Sequence, residues 1–243
     1  MATHTTKKHI YREKGIPDTF PLQCYFPSPD DISDDEPSII IGMDSGVGNT
    51  AFAYIELIRD VNTKAIVDFR FADAYYFKEQ LDLLSLQKDK QIFLCEQYFK
   101  LFAHKRVENL TFELLPLTSI KDESTLKGVI DAQSTTNMIT LIAYQLYHSY
   151  KPVPATSIKL CLTGKGTASK DEMCEAAYSW THDERLLSNN HMADAFGCAF
   201  YSFIQMVKED CVYYNTPIPE KFAHMDWNFQ TMPSPPWGNK SLY

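Results

Sequence analysis

The stretch Ser38-Ile-Ile-Ile-Gly-Met-Asp44 decides the fold class of this chain. Its apolar residues are consecutive rather than alternating with polar ones, which is typical of a strand covered on both faces. The acidic residue Asp44 closes the run, and a turn beginning with Ser45 and Gly46 follows it. We therefore expect a central strand of an α/β domain, with a carboxylate at its carboxyl end.

The segments that follow predict a mixed sheet flanked by helices. Two runs rich in β-branched and aromatic residues, 50–57 and 65–77, predict strands that pair antiparallel with the first one. Short apolar runs over 91–95 and 157–162 predict two further strands. From the spacing of apolar residues, helices are expected over 78–90, 124–148, 169–180 and 190–209. Three antiparallel strands followed by alternating strands and helices indicate an α/β fold.

The chain of 243 residues suits one folded domain with two appendages. Residues 1–37 are polar, interrupted by prolines and acidic toward their end, so we expect a flexible N-terminal arm. The folded domain should cover residues 38–210. Residues 211–243 are rich in proline and aromatic residues and are expected to form an extended tail. Either appendage could bind a protein partner.

The net charge of −8 argues at first against nucleic acid, because affinity for phosphates comes largely from lysine and arginine. The distribution of charge weakens this objection, since acids concentrate in residues 27–38 while two other segments carry bases without acids. These bases are Lys100, Lys105 and Arg106 in the first segment, and Lys151, Lys159, Lys165 and Lys170 in the second. Local basic surface is therefore expected.

The cysteines and the N-terminal sequence favour an intracellular, cytoplasmic protein. The six cysteines show no paired spacing, and most lie in apolar stretches, where a reduced thiol behaves as a small hydrophobic group. Residues 1–15 have no apolar core, so no secretory signal is expected. The longest apolar stretch, 195–207, is too short to cross a bilayer.

Separate islands of the chain carry residue types suited to a divalent metal. Asp44 ends the first strand, and Glu96 ends the strand predicted over 91–95. His191 and Asp194 lie three apart, on one face of the last predicted helix. Side chains at the ends of neighbouring strands project into one crevice of an α/β sheet, so these groups can converge. Such ligands suit magnesium or manganese, and two ions about 4 Å apart can clamp a phosphodiester during hydrolysis. The pattern predicts a metal-dependent nuclease.

Three other kinds of site are not favoured. The stretch Gly164-Lys-Gly-Thr167 lacks the upstream glycine and the Lys-Ser or Lys-Thr pair of a phosphate-binding loop. The histidines are dispersed, and no cysteine pair has the spacing of zinc ligands. No motif nominates a base beside a serine or cysteine nucleophile, so a hydrolase of that type is not expected.

The ordered islands resemble the RuvC family of Holliday-junction resolvases, whose members have an RNase H-like fold. Residues 39–46 resemble the first strand of that family, with Asp44 as the catalytic aspartate. The run Cys95-Glu96-Gln-Tyr-Phe99 resembles the family's Glu-Gln-x-Phe motif. These are the two most specific matches.

Two further matches extend the resemblance to about residues 39–204. Lys159 and Lys170 have the spacing of the family's two active-site lysines, across a Gly-x-Gly loop that is here Gly164-Lys-Gly166. The run His191-Met-Ala-Asp194 matches the closing motif, whose first ligand is Asp or His. As an ordered set the motifs are far more specific than any one of them.

The resemblance implies a homodimer that binds a four-way DNA junction and nicks opposed strands symmetrically. It implies two magnesium ions, or manganese, in each active site. Asp44, Glu96 and Asp194 would hold the metals, and His191 would complete a metal site or handle the proton of the attacking water.

The resemblance also implies which residues meet the DNA. Lys159 and Lys170 would neutralise charge at the scissile phosphate. Phe99 would stack against bases near the junction centre. Further candidate DNA contacts are the basic residues Lys100, Lys105, Arg106 and Lys165.

Two alternatives stay open from the sequence. An RNase H-fold nuclease acting on other branched DNA or on an RNA/DNA hybrid has the same metal core. A non-catalytic junction-binding scaffold is the second, because of the acidic balance and the added tails. Between Phe99 and Ser124 we expect an insertion relative to the family, with residues 110–117 as a strand within it.

Overall fold

The computed structural model describes residues 35–114 except 47, residues 122–225, and the single residues 27, 32 and 33. Most of the predicted N-terminal arm, and the part of the predicted tail beyond residue 225, lie outside the described residues. The folded part consists of one sheet with helices on both faces.

The sheet has five strands in the order β3-β2-β1-β4-β5. The strands are β1 (Ser38–Asp44), β2 (Ala51–Arg59), β3 (Ile66–Tyr76), β4 (Arg106–Leu114) and β5 (Tyr150–Pro154). The first three strands pair antiparallel, whereas β1, β4 and β5 run parallel. The predicted fold class, three antiparallel strands followed by parallel ones in an RNase H-like α/β sheet, is confirmed.

The described helices connect and cover these strands. They are α1 (Lys78–Asp82), α2 (Gln87–Phe102), α3 (Glu123–Gln145), α4 (Ala155–Thr163), α5 (Lys170–Thr181), α6 (Glu184–Ser188) and α7 (Asn190–Tyr214), followed by a short 3-10 helix (Glu220–Phe222). None of the helices in the described part of the chain combines the length and the apolar character that a membrane span requires.

The central strand β1 is buried on both faces, as its continuous apolar run predicts. Ile39, Ile41 and Met43 belong to a core formed with α2 and α3, whereas Ile40 belongs to a core formed with α4, α5 and α7. Successive side chains of a strand point to opposite faces, so residue 42 and Asp44 share the α7 face with Ile40.

Gly42 lets α7 pack directly on the backbone of β1. A Cβ atom placed on Gly42 would lie 1.9 Å from the carbonyl oxygen of Ala195 and 2.5 Å from the backbone nitrogen of Ala199. Real atoms do not approach so closely, so a side chain at this position would force the helix and the strand apart. The glycine therefore sets the distance between the end of β1 and the start of α7.

Two of the predicted strands are wrong. Residues 91–95 lie inside α2, and residues 157–162 lie inside α4. Short apolar runs occur both in buried strands and in buried helix faces, and periodicity alone does not separate them. The helix predicted over 78–90 is likewise divided between α1 and the beginning of α2.

The predicted insertion between Phe99 and Ser124 is also wrong, because the segment contains β4, which pairs with β1 in the centre of the sheet. The strand predicted within it over 110–117 is confirmed for residues 110–114, whereas residues 115–117 lie outside the described residues. The following helix begins slightly earlier than expected. Its N-cap is Asp122, whose carboxylate accepts a hydrogen bond from the backbone N–H of Thr125, rather than Ser124.

A buried histidine between α2 and α3 predicts a pH-dependent stability. Nδ1 of His148 lies 2.9 Å from the hydroxyl of Tyr98, and burial lowers the pKa of His148 from 6.5 to about 4. Between pH 6.5 and pH 4 the unfolded chain binds a proton at His148 that the folded chain does not bind. The unfolding free energy is therefore unaffected by this group above pH 6.5 and decreases as the pH falls toward 4.

Between pH 7 and pH 4 we expect the unfolding free energy of the wild type to fall, relative to that of His148→Gln, by up to about 3 kcal/mol. Urea unfolding at several pH values measures both proteins. A difference that does not change with pH would contradict the prediction.

Candidate active site

Two carboxylates stand side by side at the carboxyl ends of parallel strands. Asp44 ends β1, and Glu113 directly follows the β4 residue that pairs with Met43. Glu113 shares its face of β4 with Asn109, whose side-chain amide donates a hydrogen bond of 2.7 Å to the hydroxyl of Ser202 on α7. Asp44 and Glu113 therefore lie at one edge of the sheet, on the side that α7 covers.

The first turns of α7 bring two more groups to this edge. The side chain of Asn189 caps the helix and accepts a hydrogen bond of 3.0 Å from the backbone N–H of His191. Nδ1 of His191 donates to Oδ2 of Asp44 at 2.7 Å. Asp194 follows three residues later, on the same side of the helix. Asp44, Glu113, His191 and Asp194 are called the carboxylate site below.

The acids of the carboxylate site act on one another. Burial first, and then the charges of Asp44 and Asp194, raise the pKa of Glu113 to about 7. Burial first, and then the charge of Asp44, raise the pKa of Asp194 to about 6. Like charges in a partly desolvated place disfavour ionisation, which accounts for both directions. The site is therefore a place where a cation is electrostatically favoured.

The two predicted lysines lie beside the carboxylate site, although the strand predicted around Lys159 is a helix. Lys159 on α4 donates a hydrogen bond of 2.8 Å from Nζ to the carbonyl of Ala168 and lowers the pKa values of Glu113 and Asp194. Lys170 begins α5, is exposed, and also lowers the pKa of Asp194. Gly164, with a φ of 74°, ends α4 in the left-handed conformation and turns the chain between the two lysines.

Glu96 is not brought to the carboxylate site. It lies on α2, whose residues Leu94, Cys95 and Tyr98 pack with Met43 against the opposite face of the sheet from α7. Burial raises the pKa of Glu96 and Lys100 lowers it, and no residue of the carboxylate site is among the causes. The position predicted for this acid, at the end of a strand next to β1, is occupied by Glu113.

Sequence reasoning missed Glu113, although a signal was present. Residues 109–113 read Asn-Leu-Thr-Phe-Glu, an alternation of polar and apolar residues that is typical of a strand. The structure confirms that the apolar members, Leu110 and Phe112, face the α2 and α3 core. An acid in the last residues of such a strand is as good a candidate ligand as Asp44.

The candidate DNA contacts lie in two places. Arg106 pairs with Ser38, the first residue of β1, so it is about 20 Å along the sheet from Asp44. Lys105 is ion-paired with Glu36. Phe99 is half-buried against the α2 and α3 core, and the neighbouring Lys100 is exposed. The structure does not place these four residues beside the carboxylate site.

Lys165 lies in the loop between the two site lysines, Lys159 and Lys170. Its ammonium group is paired with Glu172 at 2.7 Å, and both side chains are largely exposed. Exposed ion pairs contribute little free energy, so a phosphate could replace the carboxylate as the partner of Lys165.

The residues present fit a hard divalent cation. Three carboxylates and one imidazole form a donor set suited to magnesium or manganese. Among the described residues, no three such side chains are already close enough together to hold a metal ion. The charges of Asp44 and Asp194 contribute to the raised pKa of Glu113, and the charge of Asp44 contributes to that of Asp194, so a cation would relieve their repulsion.

The architecture and the position of the site define an RNase H-like fold, with a cluster of acids at the ends of the central strands. Solved structures with this fold include RuvC of Thermus thermophilus, with a TM-score of 0.54 and 14% identity, covering 69% of this chain and 95% of that one. RuvC of the same organism in complex with a Holliday junction substrate gives a TM-score of 0.55 and 16% identity, covering 70% of this chain and 96% of that one.

The yeast mitochondrial Holliday junction resolvase Ydc2 gives a TM-score of 0.50 and 12% identity, covering 86% of this chain and 95% of that one. At these identities the likeness concerns the fold, and it confirms the resemblance to RuvC at that level. No protein-family model matches the chain. No curated protein matches it either.

Proposed function

We propose that this chain is a metal-dependent, structure-selective DNA endonuclease that resolves four-way junctions by paired symmetric nicks. The observation that carries the proposal is the convergence of Asp44, Glu113, His191 and Asp194 at the carboxyl ends of β1 and β4. The shared fold supports it, because one structure with this fold was solved with a Holliday junction and another is a Holliday junction resolvase.

In this proposal magnesium, or manganese, is held by Asp44, Glu113 and Asp194, with His191 completing the set. Two ions per site would activate water and neutralise charge on the phosphate. Glu113 takes the place that the sequence assigned to Glu96. Because Glu113 and Asp194 have raised pKa values, protons compete with the metal for both carboxylates, and binding should strengthen as the pH rises through 6 to 7.

In this proposal the other residues of the site orient its groups and neutralise charge on the phosphate. Asp44 accepts a hydrogen bond from Nδ1 of His191, which leaves the lone pair of the neutral imidazole on Nε2 for a ligand or a proton. Lys159 and Lys170 bring positive charge to the same acids, and we propose that they contact the scissile phosphate, where preorganised charge lowers the barrier.

We further propose that two copies of the chain act together, since a two-fold junction requires two equivalent cuts. A reducing compartment inside the cell, such as the cytoplasm, suits the free thiols of the described cysteines. These are Cys95, Cys161, Cys174, Cys198 and Cys211.

The test is cleavage of a labelled immobile four-way DNA junction in magnesium, beside matched duplex, fork and RNA/DNA hybrid. Wild type should cut the junction in paired symmetric positions. Asp44→Asn should cut at least about 1000-fold more slowly, because a metal ligand worth several kcal/mol is lost. Junction binding should persist or improve, since a negative charge beside phosphate is removed.

The matched control is Asp68→Asn, the same chemical change near the opposite end of β3, where Asp68 is paired with Lys221. It should cut at the wild-type rate. Cleavage confined to the fork or the hybrid would support a nuclease but contradict the four-way junction as its substrate. Tight junction binding without cleavage in either magnesium or manganese would instead identify a scaffold.

A further inference from the structure

One row of residues crosses the antiparallel half of the sheet beside the carboxylate site. Asp44 on β1 pairs with Ala51 on β2, and Ala51 pairs in turn with Tyr76 on β3. Directly opposed residues of a sheet share a face, so all three side chains point toward α7. Ala51 is fully buried and has the smallest side chain of the row. Its small side chain leaves the space between the carboxylate of Asp44 and the ring of Tyr76 to a side chain from another element.

The imidazole of His191 bridges the two ends of this row. On one side its Nδ1 donates to Oδ2 of Asp44 at 2.7 Å. On the other side its ring stacks on Tyr76, with ring centroids 5.3 Å apart and planes only 13° from parallel. A hydrogen bond and an aromatic stack thus hold the same imidazole ring.

Tyr76 is itself held at a second point. Its hydroxyl donates a hydrogen bond of 3.1 Å to Oδ1 of Asn49. Asn49 lies in the turn that follows Asp44, and its backbone N–H donates to the carbonyl of Gly46 at 3.2 Å. The turn after β1 and the end of β3 therefore secure the tyrosine ring independently of α7.

We propose that Tyr76 is a positioning residue that fixes the ring plane of His191. The ring is tethered to α7 through its Cβ atom, and the hydrogen bond to Asp44 holds one ring atom, Nδ1. The parallel tyrosine ring restricts the remaining rotation about χ2, which tilts the plane of the imidazole. The stack thereby keeps the ring in the plane in which Nδ1 can donate to Asp44, and it holds Nε2 in one direction for the metal or the proton that His191 serves. The consequence for catalysis rests on the proposed function, whereas the orientation of the ring does not.

The orientation is measured by NMR on the full chain labelled with 15N-histidine, with His191 assigned by the loss of its signals in His191→Gln. In wild type, the carbon-bound ring protons of His191 should be shifted upfield by the tyrosine ring, and the nitrogen shifts should report the Nδ1–H tautomer. Tyr76→Phe keeps the ring and should keep both signatures. Tyr76→Leu and Tyr76→Met should lose the upfield shift and show a mixture of tautomers.

A wild-type spectrum without the upfield shift would overturn the proposal with no variant needed. An unchanged tautomer in whichever of Tyr76→Leu and Tyr76→Met folds would also overturn it.

Single-turnover cleavage then tests the consequence. Tyr76→Leu should be slower by about tenfold to a hundredfold at unchanged junction affinity, because small misplacements of a reacting group have effects of this size. Tyr76→Phe, which keeps the ring, should cut at close to the wild-type rate. A rate independent of Tyr76 would overturn the positioning role and leave the nuclease intact. A protein that cuts no branched DNA, yet shows the tyrosine-dependent tautomer, would support the positioning and overturn the proposed function.

Discussion

Replacing Glu113 by Gln is expected to reduce junction cleavage about 1000-fold or more, whereas the same change at Glu96 should leave cleavage close to wild type. Both residues are partly or fully buried glutamates with raised pKa values. Only the pKa of Glu113 is raised by the charges of Asp44 and Asp194. The pair therefore compares the same chemical change at two desolvated glutamates, of which only Glu113 lies at the carboxylate site.

Metal binding distinguishes the two variants without reference to cleavage. Isothermal titration with magnesium or manganese should show weakened binding for Glu113→Gln and unchanged binding for Glu96→Gln. Both proteins should unfold cooperatively, and neither change removes a charged partner, since neither glutamate has an ion pair among the contacts of the described residues. If Glu96→Gln abolished cleavage and Glu113→Gln did not, our assignment of the site would be wrong.

The second large effect is expected at Gly42. Gly42→Ala should lower the unfolding free energy by about 3 kcal/mol or more, because the added methyl group meets backbone atoms of α7 that cannot move away individually. The helix must shift as a whole, which also separates His191 from Asp44. We therefore expect the remaining folded protein to cleave about a hundredfold more slowly.

Gly128→Ala provides the control for that change. Gly128 lies within α3, and a Cβ atom built there meets nothing within 4 Å. Alanine is the better helix former, so this variant should be more stable than wild type by about 0.5–1 kcal/mol. Urea unfolding compares the two variants, and equal effects of both substitutions would show that Gly42 has no special contact with α7.

The sequence predicts most of the fold because its strongest patterns are local. The apolar run before Asp44 is short and is followed at once by a turn, which favours a strand covered on both sides, and the antiparallel strands that follow carry a clear β composition. The errors occur at short apolar runs, where the spacing of apolar residues over a longer segment indicates a helix rather than a strand. Leu94, Tyr98 and Phe102 recur every four residues and are all buried, which is the pattern of the helix that the structure shows.

The same error explains why one acid of the proposed site was misplaced. Glu96 follows an apolar run and begins a motif-like sequence, so it resembled a ligand at the end of a strand. Glu113 sits in a segment interpreted as an insertion, and only the pairing of β4 with β1 places it next to Asp44. His191 needed no such knowledge, because His191 and Asp194 stand on one helix face wherever that helix packs.

The positioning of His191 by Tyr76 could not be read from the sequence. It depends on the register of three strands, which places Asp44, Ala51 and Tyr76 in one row. A slip of one residue in either pairing would turn Tyr76 or Asp44 to the other face of the sheet. Register is set by the whole packed sheet rather than by any local motif.

The close packing of α7 on β1 also determines when, during synthesis of the chain, the proposed site can form. Proteins emerge from the ribosome amino terminus first, and the five strands of the described sheet precede α7 in the chain. A nascent chain that has reached residue 189 already contains Asp44 and Glu113 but neither His191 nor Asp194. The proposed site can therefore assemble only after α7 has been synthesised and has docked on β1, so products that end before α7 are not expected to cut DNA.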